Sequence, residues 1–369
     1  MRTTVAVVHA PGQDFAFEEV DLDGPRADEV LVRIVATGLC HTDITMRTML
    51  PAEMFPNVFG HEGAGVVEEV GADVDGVEVG DHVVLSLRSC RACPRCEAGM
   101  VGYCDSTLFL NYLGMRMDGS TTMSRDGSPV FGSFFGQSSF AQHALAYADN
   151  CVVVDKSLNL TRIAPYGCGF QTGAGAVLNV LKPGPEDSLV VYGVGAVGLA
   201  AIAAAKAEGV ATIVAVDLMP SRLEVAARYG AVGVDPSELE PNDFGTQVVD
   251  RVKELTGGGA TGAVDTTAVP EVLRQAAQSL AARGQLVVLG LGAPEFPVDA
   301  IDLMQNGKVI RGSVEGDSDP LEMVPRLIEL NRTGRFDVDD LVVSYPFAEI
   351  GAAIEDVTAG RVVKPVLVW

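Results

Sequence analysis

The sequence is short of positive charge. It carries 26 lysines and arginines against 49 aspartates and glutamates, a formal net charge of −23. No stretch gathers its bases, so neither nucleic acid nor an anionic membrane surface is an expected partner, because both are bound through clustered Lys and Arg. Long apolar runs are missing too. Residues 189–192 and 286–291 are typical of the apolar runs present, and each falls far below the roughly 20 residues that cross a bilayer. The first residues show no charged-then-apolar leader, which makes the cytoplasm the expected location. Cysteine is scarce at seven residues, an odd number, yet four of them crowd into positions 90–104. In a reducing compartment that crowding argues for metal rather than disulfides.

What is present suffices for folded structure. With 369 residues, 48% of them hydrophobic, the chain can build about two domains with substantial cores. Its first part reads as short strands separated by Gly, Pro and Asp, at residues 5–8, 29–35, 65–70 and 82–85. From about Gly173 the pattern changes to Ala-rich helical runs alternating with apolar strands at 189–192, 212–216 and 286–289, a βαβ rhythm that predicts a parallel sheet. Gly316, Asp317 and Pro320 break that rhythm after roughly residue 313. The ending, 362–369, is again strand-like and can rejoin the first β portion.

Gly193-Val-Gly-Ala-Val-Gly198 follows one of these strands and opens a helix, with Asp217 standing 19 residues beyond the last glycine. Glycines there permit a tight turn and bring the backbone N–H groups of residues such as Ala196 and Val197 close to a pyrophosphate at the positive end of the helix. The acid suits an adenosine ribose and repels a 2′-phosphate, which favours NAD over NADP, although Arg222 offers a base nearby.

Cys90-x2-Cys93-x2-Cys96-x7-Cys104 places four soft ligands within fifteen residues in a polar loop. Four thiolates close a tetrahedral site with no open position, which is structural rather than catalytic, and the spacing alone admits either zinc or an iron–sulfur cluster. Three further candidates lie far apart: Cys40 in Gly-Leu-Cys-His-Thr-Asp43, His61 in Gly60-His-Glu-Gly, and Cys168 in Gly167-Cys-Gly-Phe-Gln-Thr-Gly173. A buried cysteine taken singly is more often a small apolar residue than a ligand.

Taken together and in this order, the Gly-His-Glu block, the four-cysteine lobe, the Gly-Cys-Gly-Phe-x-Thr-Gly block and the dinucleotide fingerprint resemble the zinc-containing medium-chain alcohol dehydrogenases, from near the first residue to the last. The resemblance implies an α/β chain with a GroES-like, mostly-β catalytic domain (1–164 and 314–369, with a structural zinc lobe at 88–106) around a Rossmann doubly wound parallel-sheet domain (165–313), the active site lying between them. It implies two zinc ions per subunit and NAD. Cys40, His61 and Cys168 become ligands of a catalytic zinc with one position open for water or substrate, and the four clustered cysteines ligands of a structural zinc. Glu62 becomes a carboxylate that approaches the metal during ligand exchange, and Asp43 the group that orients His61 through its other ring nitrogen. Thr42 becomes the hydroxyl that relays a proton, and Thr172 joins the cofactor contacts.

Two positions depart from the pattern. Thr45 stands where many relatives end the relay with a histidine, so the proton must leave differently. His41 stands where relatives often hold the pyrophosphate with arginine, while Lys364 matches a second basic position. The segment 108–117 is dense in apolar residues, and the blocks Gly132-Ser-Phe-Phe-Gly-Gln-Ser-Ser-Phe-Ala141 and Cys168-Gly-Phe-Gln-Thr-Gly-Ala-Gly-Ala-Val-Leu-Asn179 resemble the aryl-alcohol (benzyl-alcohol) branch, which also includes enzymes acting on allylic terpene alcohols. The expected reaction is therefore hydride transfer between a bulky apolar primary alcohol and NAD. The alternatives are a thiol-adduct-dependent formaldehyde dehydrogenase, for which the apolar loop offers only Arg116 and Arg125 as cationic anchors, and a zinc lyase of the hydroxynitrile lyase kind on the same scaffold. A homodimer or homotetramer is expected.

Overall fold

A side-chain period of two builds the first part of the chain. In the strand Ala16–Leu22, Val20 and Leu22 are buried while Glu19 and Asp21 face water, as a half-buried antiparallel strand requires. It pairs with Arg2–Val8 and Met123–Arg125; with Asn57–Val58 and Ser128–Val130 at the edges this makes a five-stranded sheet. A second sheet of seven strands runs in the order Cys151–Val154, His82–Leu85, Gly63–Val70, Glu29–Gly38, Lys364–Val368 and Val342–Pro346, and His143–Tyr147 also pairs with Glu29–Gly38. Both sheets belong to one unit comprising Met1–Cys168, Asp319–Ile328 and Asp339–Trp369 in the computed structural model, which describes residues 1–239 and 246–369.

The final strand rejoins the first β portion, as its pattern predicts. Lys364–Val368 lies antiparallel to residues 36–38, and Trp369 stacks on Phe347 with ring centroids 3.8 Å apart. The largest core of this unit gathers Val5, Val7, Phe59, Phe134, Phe140 and Leu367, all essentially without solvent contact.

The second unit, Gly169–Ser318 with Glu329–Val338, is built on six strands. Their order is Val232–Val234, Thr212–Val216, Ser188–Tyr192, Ala260–Asp265, Leu280–Val288 and Val309–Gly312, and every neighbouring pair is parallel. The central strands are almost continuously buried, because helical crossovers in such a sheet leave neither face to solvent. Helix Ala196–Ala207 buries every residue from Gly198 to Ala205, and its run of alanines lets it lie close to its neighbours. A helix at Gly169–Gly175 continues directly into a π-helical turn, Ala176–Leu181. Among the described residues, no helix is long and apolar enough to cross a membrane.

Candidate active site

Cys40 caps the short helix His41–Met49 from an extended conformation, and its N–H donates to Asp43 Oδ2 at 3.1 Å. The other carboxylate oxygen of Asp43 accepts from Gly60 N–H at 3.0 Å and from His61 Nδ1 at 2.8 Å. One fully buried acid thus joins the cysteine, the turn before the histidine and the imidazole itself. Gly60 is held at φ +91°, and a Cβ there would lie 2.4 Å from the Phe140 backbone nitrogen, so only glycine fits this turn. With Nδ1–H donated to Asp43, the lone pair falls on Nε2, which is buried and has no hydrogen-bond partner.

Cys168 follows the turn Ala164–Gly167, whose position is set by Ser86 Oγ donating to Gly167 O at 2.6 Å. Folding brings one donor atom from each of Cys40, His61, Glu62 and Cys168 within 4.8 Å of one another. Glu62 is fully buried and ion-paired with Lys364 Nζ at 2.5 Å; that ammonium, only 2% exposed, also donates to Leu39 O. The Glu62 carboxylate fills the space beside Gly38, where a Cβ would sit 1.9 Å from Oε2.

The electrostatics of this cluster call for a cation. Burial opposes charge on His61, yet Asp43 and the Cys40 thiolate outweigh it and raise the imidazole's proton affinity well above the ordinary value. Cys40 is held well below an ordinary thiol by the hydrogen bond with Cys168, against burial and with help from His61 and Lys364. Burial pushes Glu62 up to about 7 in spite of Lys364. A divalent ion bound by two thiolates and the bare Nε2 satisfies these groups together. The donors therefore fit zinc.

The four-cysteine lobe fits a second zinc by distance. Cys90 and Cys96 sulfurs lie 3.9 Å apart and those of Cys93 and Cys96 3.5 Å apart, against about 3.8 Å between the corners of a tetrahedron with metal–sulfur bonds of ~2.3 Å. Backbone N–H groups of Cys90, Asp105 and Ser106 point at the sulfurs of Cys104 and Cys93. The Asp105 amide holds Cys93 down to about 6 while burial pushes Cys96 up to about 12, so these thiols do not all ionise together unless a cation compensates them.

In the second unit, the strand Ser188–Tyr192 ends at Gly193 with φ +81°, and the helix begins after Gly195 at Ala196, Val197 and Gly198. Two of the three glycines are demanded by the protein. A Cβ on Gly193 would meet the Thr266 hydroxyl at 2.4 Å, and one on Gly198 the Gly193 carbonyl at 2.1 Å. Gly195 differs, for a Cβ there would meet nothing within 4 Å. Its open space at a helix N-terminus fits the approach of a pyrophosphate. Asp217 is oriented by the N–H groups of Val194 and Met219 at 2.7 and 2.9 Å, and Arg222 lies 3.7 Å from it.

Other expected site residues are placed as follows. His41 is exposed, while Thr42 and Thr45 are half-buried on the same helix. Thr172 is half-buried on the helix Gly169–Gly175, its hydroxyl donating to Glu315. Sequence reasoning singled out neither Gln137 nor Phe135. Gln137 donates to His61 O and Ser86 O and accepts from Gly63 N–H, fixing the backbone that leaves the histidine. Phe135, at φ +51°, lays its ring over His61 with centroids 4.5 Å apart, and Phe134 and Tyr112 pack edge-on around it. The density of aromatics in 132–141 was the available signal.

Residues 26–156 match the model of the alcohol dehydrogenase GroES-like domain, and residues 196–330 that of the zinc-binding dehydrogenases. Geraniol dehydrogenase of Castellaniella defragrans is 41% identical over 367 residues, 99% of this chain and 97% of its own. The S-(hydroxymethyl)glutathione dehydrogenase of Escherichia coli is 31% identical over the full length of both. The crystal structure of benzyl alcohol dehydrogenase from Acinetobacter calcoaceticus superposes with a TM-score of 0.93 at 39% identity, covering 100% of this chain and 99% of that one. The chain belongs to the zinc-containing medium-chain alcohol dehydrogenases, GroES-like and Rossmann in fold, on the branch that carries the geraniol and benzyl alcohol enzymes.

Proposed function

We propose that this dehydrogenase oxidises bulky apolar primary alcohols, aryl or allylic, with NAD, and reduces the matching aldehydes. The observation that carries this is the aromatic wall of Phe134, Phe135 and Tyr112 against the His61 imidazole. Phe134 and Phe135 are buried behind the half-buried Tyr112 and make this side of the ligand cluster apolar, a surrounding that suits a planar, unsaturated alcohol better than a small polar one. The names of the geraniol and benzyl alcohol relatives support the same substrate class.

In this reading Cys40, His61 and Cys168 hold the catalytic zinc, and Cys90, Cys93, Cys96 and Cys104 the structural one. Bound zinc supplies the Lewis acidity that brings an alcohol hydroxyl's pKa toward neutrality. Asp43 keeps His61 in the tautomer that presents Nε2, Lys364 offsets part of the burial that raises Glu62 and holds that carboxylate beside the ligands, and the Thr42 hydroxyl accepts the substrate's proton while passing its own on toward the cofactor ribose. Gly195 admits the pyrophosphate of NAD, and Asp217 accepts the ribose hydroxyls.

The thiol-adduct reading is disfavoured by what holds its two candidate anchors. Arg116 is 3% exposed and spends its donors on Glu29, Asp23 and the Thr121 carbonyl, and Arg125 is ion-paired with Glu18. Arg116 is therefore not available to a glutathione carboxylate, and Arg125 would have to be drawn from its pairing with Glu18. Initial rates with benzyl alcohol, geraniol and S-hydroxymethylglutathione, each with NAD and NADP, test the proposal. NADH formation from the first two supports it, and turnover of the thiol adduct alone refutes it.

A homo-oligomer is also proposed, supported by an apolar edge on the second unit. Val309 lies on the edge strand, and Ile301 and Met304 on the helix Ala300–Gln305 are 63% and 70% exposed. Light scattering on the wild type and Val309→Lys measures it.

A further inference from the structure

Residues 315–317 form a turn in which three successive residues, Glu315, Gly316 and Asp317, adopt φ of +50°, +67° and +50°. Two of them are not glycine, and such backbone persists only where its surroundings over-determine it. Here the surroundings are the helix Gly169–Gly175 and the π-helical turn after it. Glu315, itself buried, accepts through one oxygen from Gln171 Nε2 at 3.0 Å and from Thr172 Oγ1 at 3.1 Å. Asn179 donates to Gly316 O and Ser318 Oγ. Gly175 and Gly316 touch so closely that a Cβ on either would lie 2.4–2.6 Å from the other's backbone. On another side the same helix abuts the fingerprint helix, since a Cβ on Gly173 would meet Val197 O at 2.0 Å.

The strained turn thus grips a helix whose far side touches the first turn of Ala196–Ala207. Within the grip Gln171 is fully buried while Thr172 is half-buried, so Thr172 is the member able to reach a bound molecule. Its single proton goes to Glu315, which fixes where its methyl and lone pairs point.

We infer that Glu315 is a positioning residue of the cofactor site: its carboxylate sets the Thr172 rotamer and seats the helix Gly169–Gly175 against the fingerprint helix. This rests on the reading that NAD binds at Gly193–Gly198. Glu315 touches no reacting atom and acts through Thr172.

The test is NADH binding, followed by the fluorescence of the bound dinucleotide, in Glu315→Gly, Glu315→Gln, Thr172→Val and the double variant Glu315→Gly/Thr172→Val. Glycine removes the carboxylate and also relieves the left-handed backbone, so folding is preserved where alanine could fail. Loss of hydrogen bonds to a charged acceptor should raise the NADH Kd roughly tenfold in Glu315→Gly, with the unfolding temperature unchanged or higher. Gln keeps one acceptor oxygen and should rescue binding to within about threefold of wild type. The double variant should bind no more weakly than Thr172→Val alone, and the KM for NAD should rise while kcat stays within about twofold. Wild-type affinity in Glu315→Gly or in Thr172→Val, or additive losses in the double variant, overturns the inference and leaves the NAD reading standing. A wild-type enzyme that binds no NADH overturns the NAD reading itself, and the inference with it.

Discussion

Replacing Asp43 by Asn tests the catalytic metal site at its most connected point. The carboxylate accepts three hydrogen bonds, two at Oδ1 from Gly60 N–H and His61 Nδ1 and one at Oδ2 from Cys40 N–H. Asn can keep its oxygen where Oδ1 was, but its amide then faces the Cys40 N–H, donor against donor. That lost bond to a charged group is worth about 1.5–3 kcal/mol, and the two that remain weaken by about 1 kcal/mol each as the acceptor becomes neutral. Relief from burying a charge offsets part of this, leaving a destabilisation of about 2–4 kcal/mol. Zinc should suffer more visibly. Loosening the partner that fixes a ligand histidine typically costs 10–100-fold in metal affinity. A colorimetric chelator added to the purified enzyme should therefore strip one zinc per chain faster from D43N than from wild type. The zinc of the four-cysteine lobe serves as the internal control, released at an unchanged rate. If D43N keeps both metals against the chelator as wild type does, Asp43 does not orient His61 for metal and the reasoning fails.

Three further outcomes are expected. Cys96→Ser should lower the metal count from two zinc ions to one and reduce the unfolding temperature by roughly 4 °C, measured by calorimetry, as a loss of ~3 kcal/mol does for 369 residues; an unchanged count would reject a metal there. Gly195→Ala meets no protein atom, so its stability should stay within about 1 kcal/mol of wild type while NADH affinity falls at least roughly tenfold; equal affinity would remove the pyrophosphate from that turn. Glu29 is subject to burial, which raises its pKa, but hydrogen bonds from Arg116, the Arg26 amide and Tyr147 win and hold it below the usual 4.5. A depressed folded pKa contributes stability that is full above the unfolded value and is lost as pH falls through the folded one. Denaturation midpoints between about pH 6 and pH 3 should therefore fall less steeply in Glu29→Gln than in wild type, and parallel slopes would contradict this.

The motifs that could be read from sequence are those whose chemistry is local. Cys90 to Cys104 close on themselves within fifteen residues, and the fingerprint glycines lie between one strand and one helix, so spacing alone suggests each arrangement. The strand-like tail was legible because β-branched and apolar residues, Val362, Val363, Val366, Leu367 and Val368, crowd its last positions. What sequence hid depends on partners far along the chain. Lys364 looked like an external base for a phosphate, yet its ammonium is buried on Glu62 and the Leu39 carbonyl, the latter 325 positions away. Arg116 looked like a loop cation and is locked to Glu29, 87 positions earlier. Glu315 and Gln171 are separated by 144 residues, and nothing in either neighbourhood announces the other. Thr42 sits on a helix whose capping residue is Cys40, a type that rarely starts helices, so nothing in the local sequence signalled a helix start there.

The strand Lys364–Val368 has a consequence for how the molecule comes into being. Synthesis delivers the chain from its first residue onward, so all of Gly169–Ser318 and Glu329–Val338 is made before residue 364 is added. The nucleotide-binding unit can therefore begin to fold while the metal-binding one still lacks an edge on the strand Glu29–Gly38 and a counter-ion for buried Glu62. A nascent chain halted short of residue 364 would hold its thiols near one another around an uncompensated acid. Committed uptake of the catalytic metal would then be among the last events in the birth of each molecule.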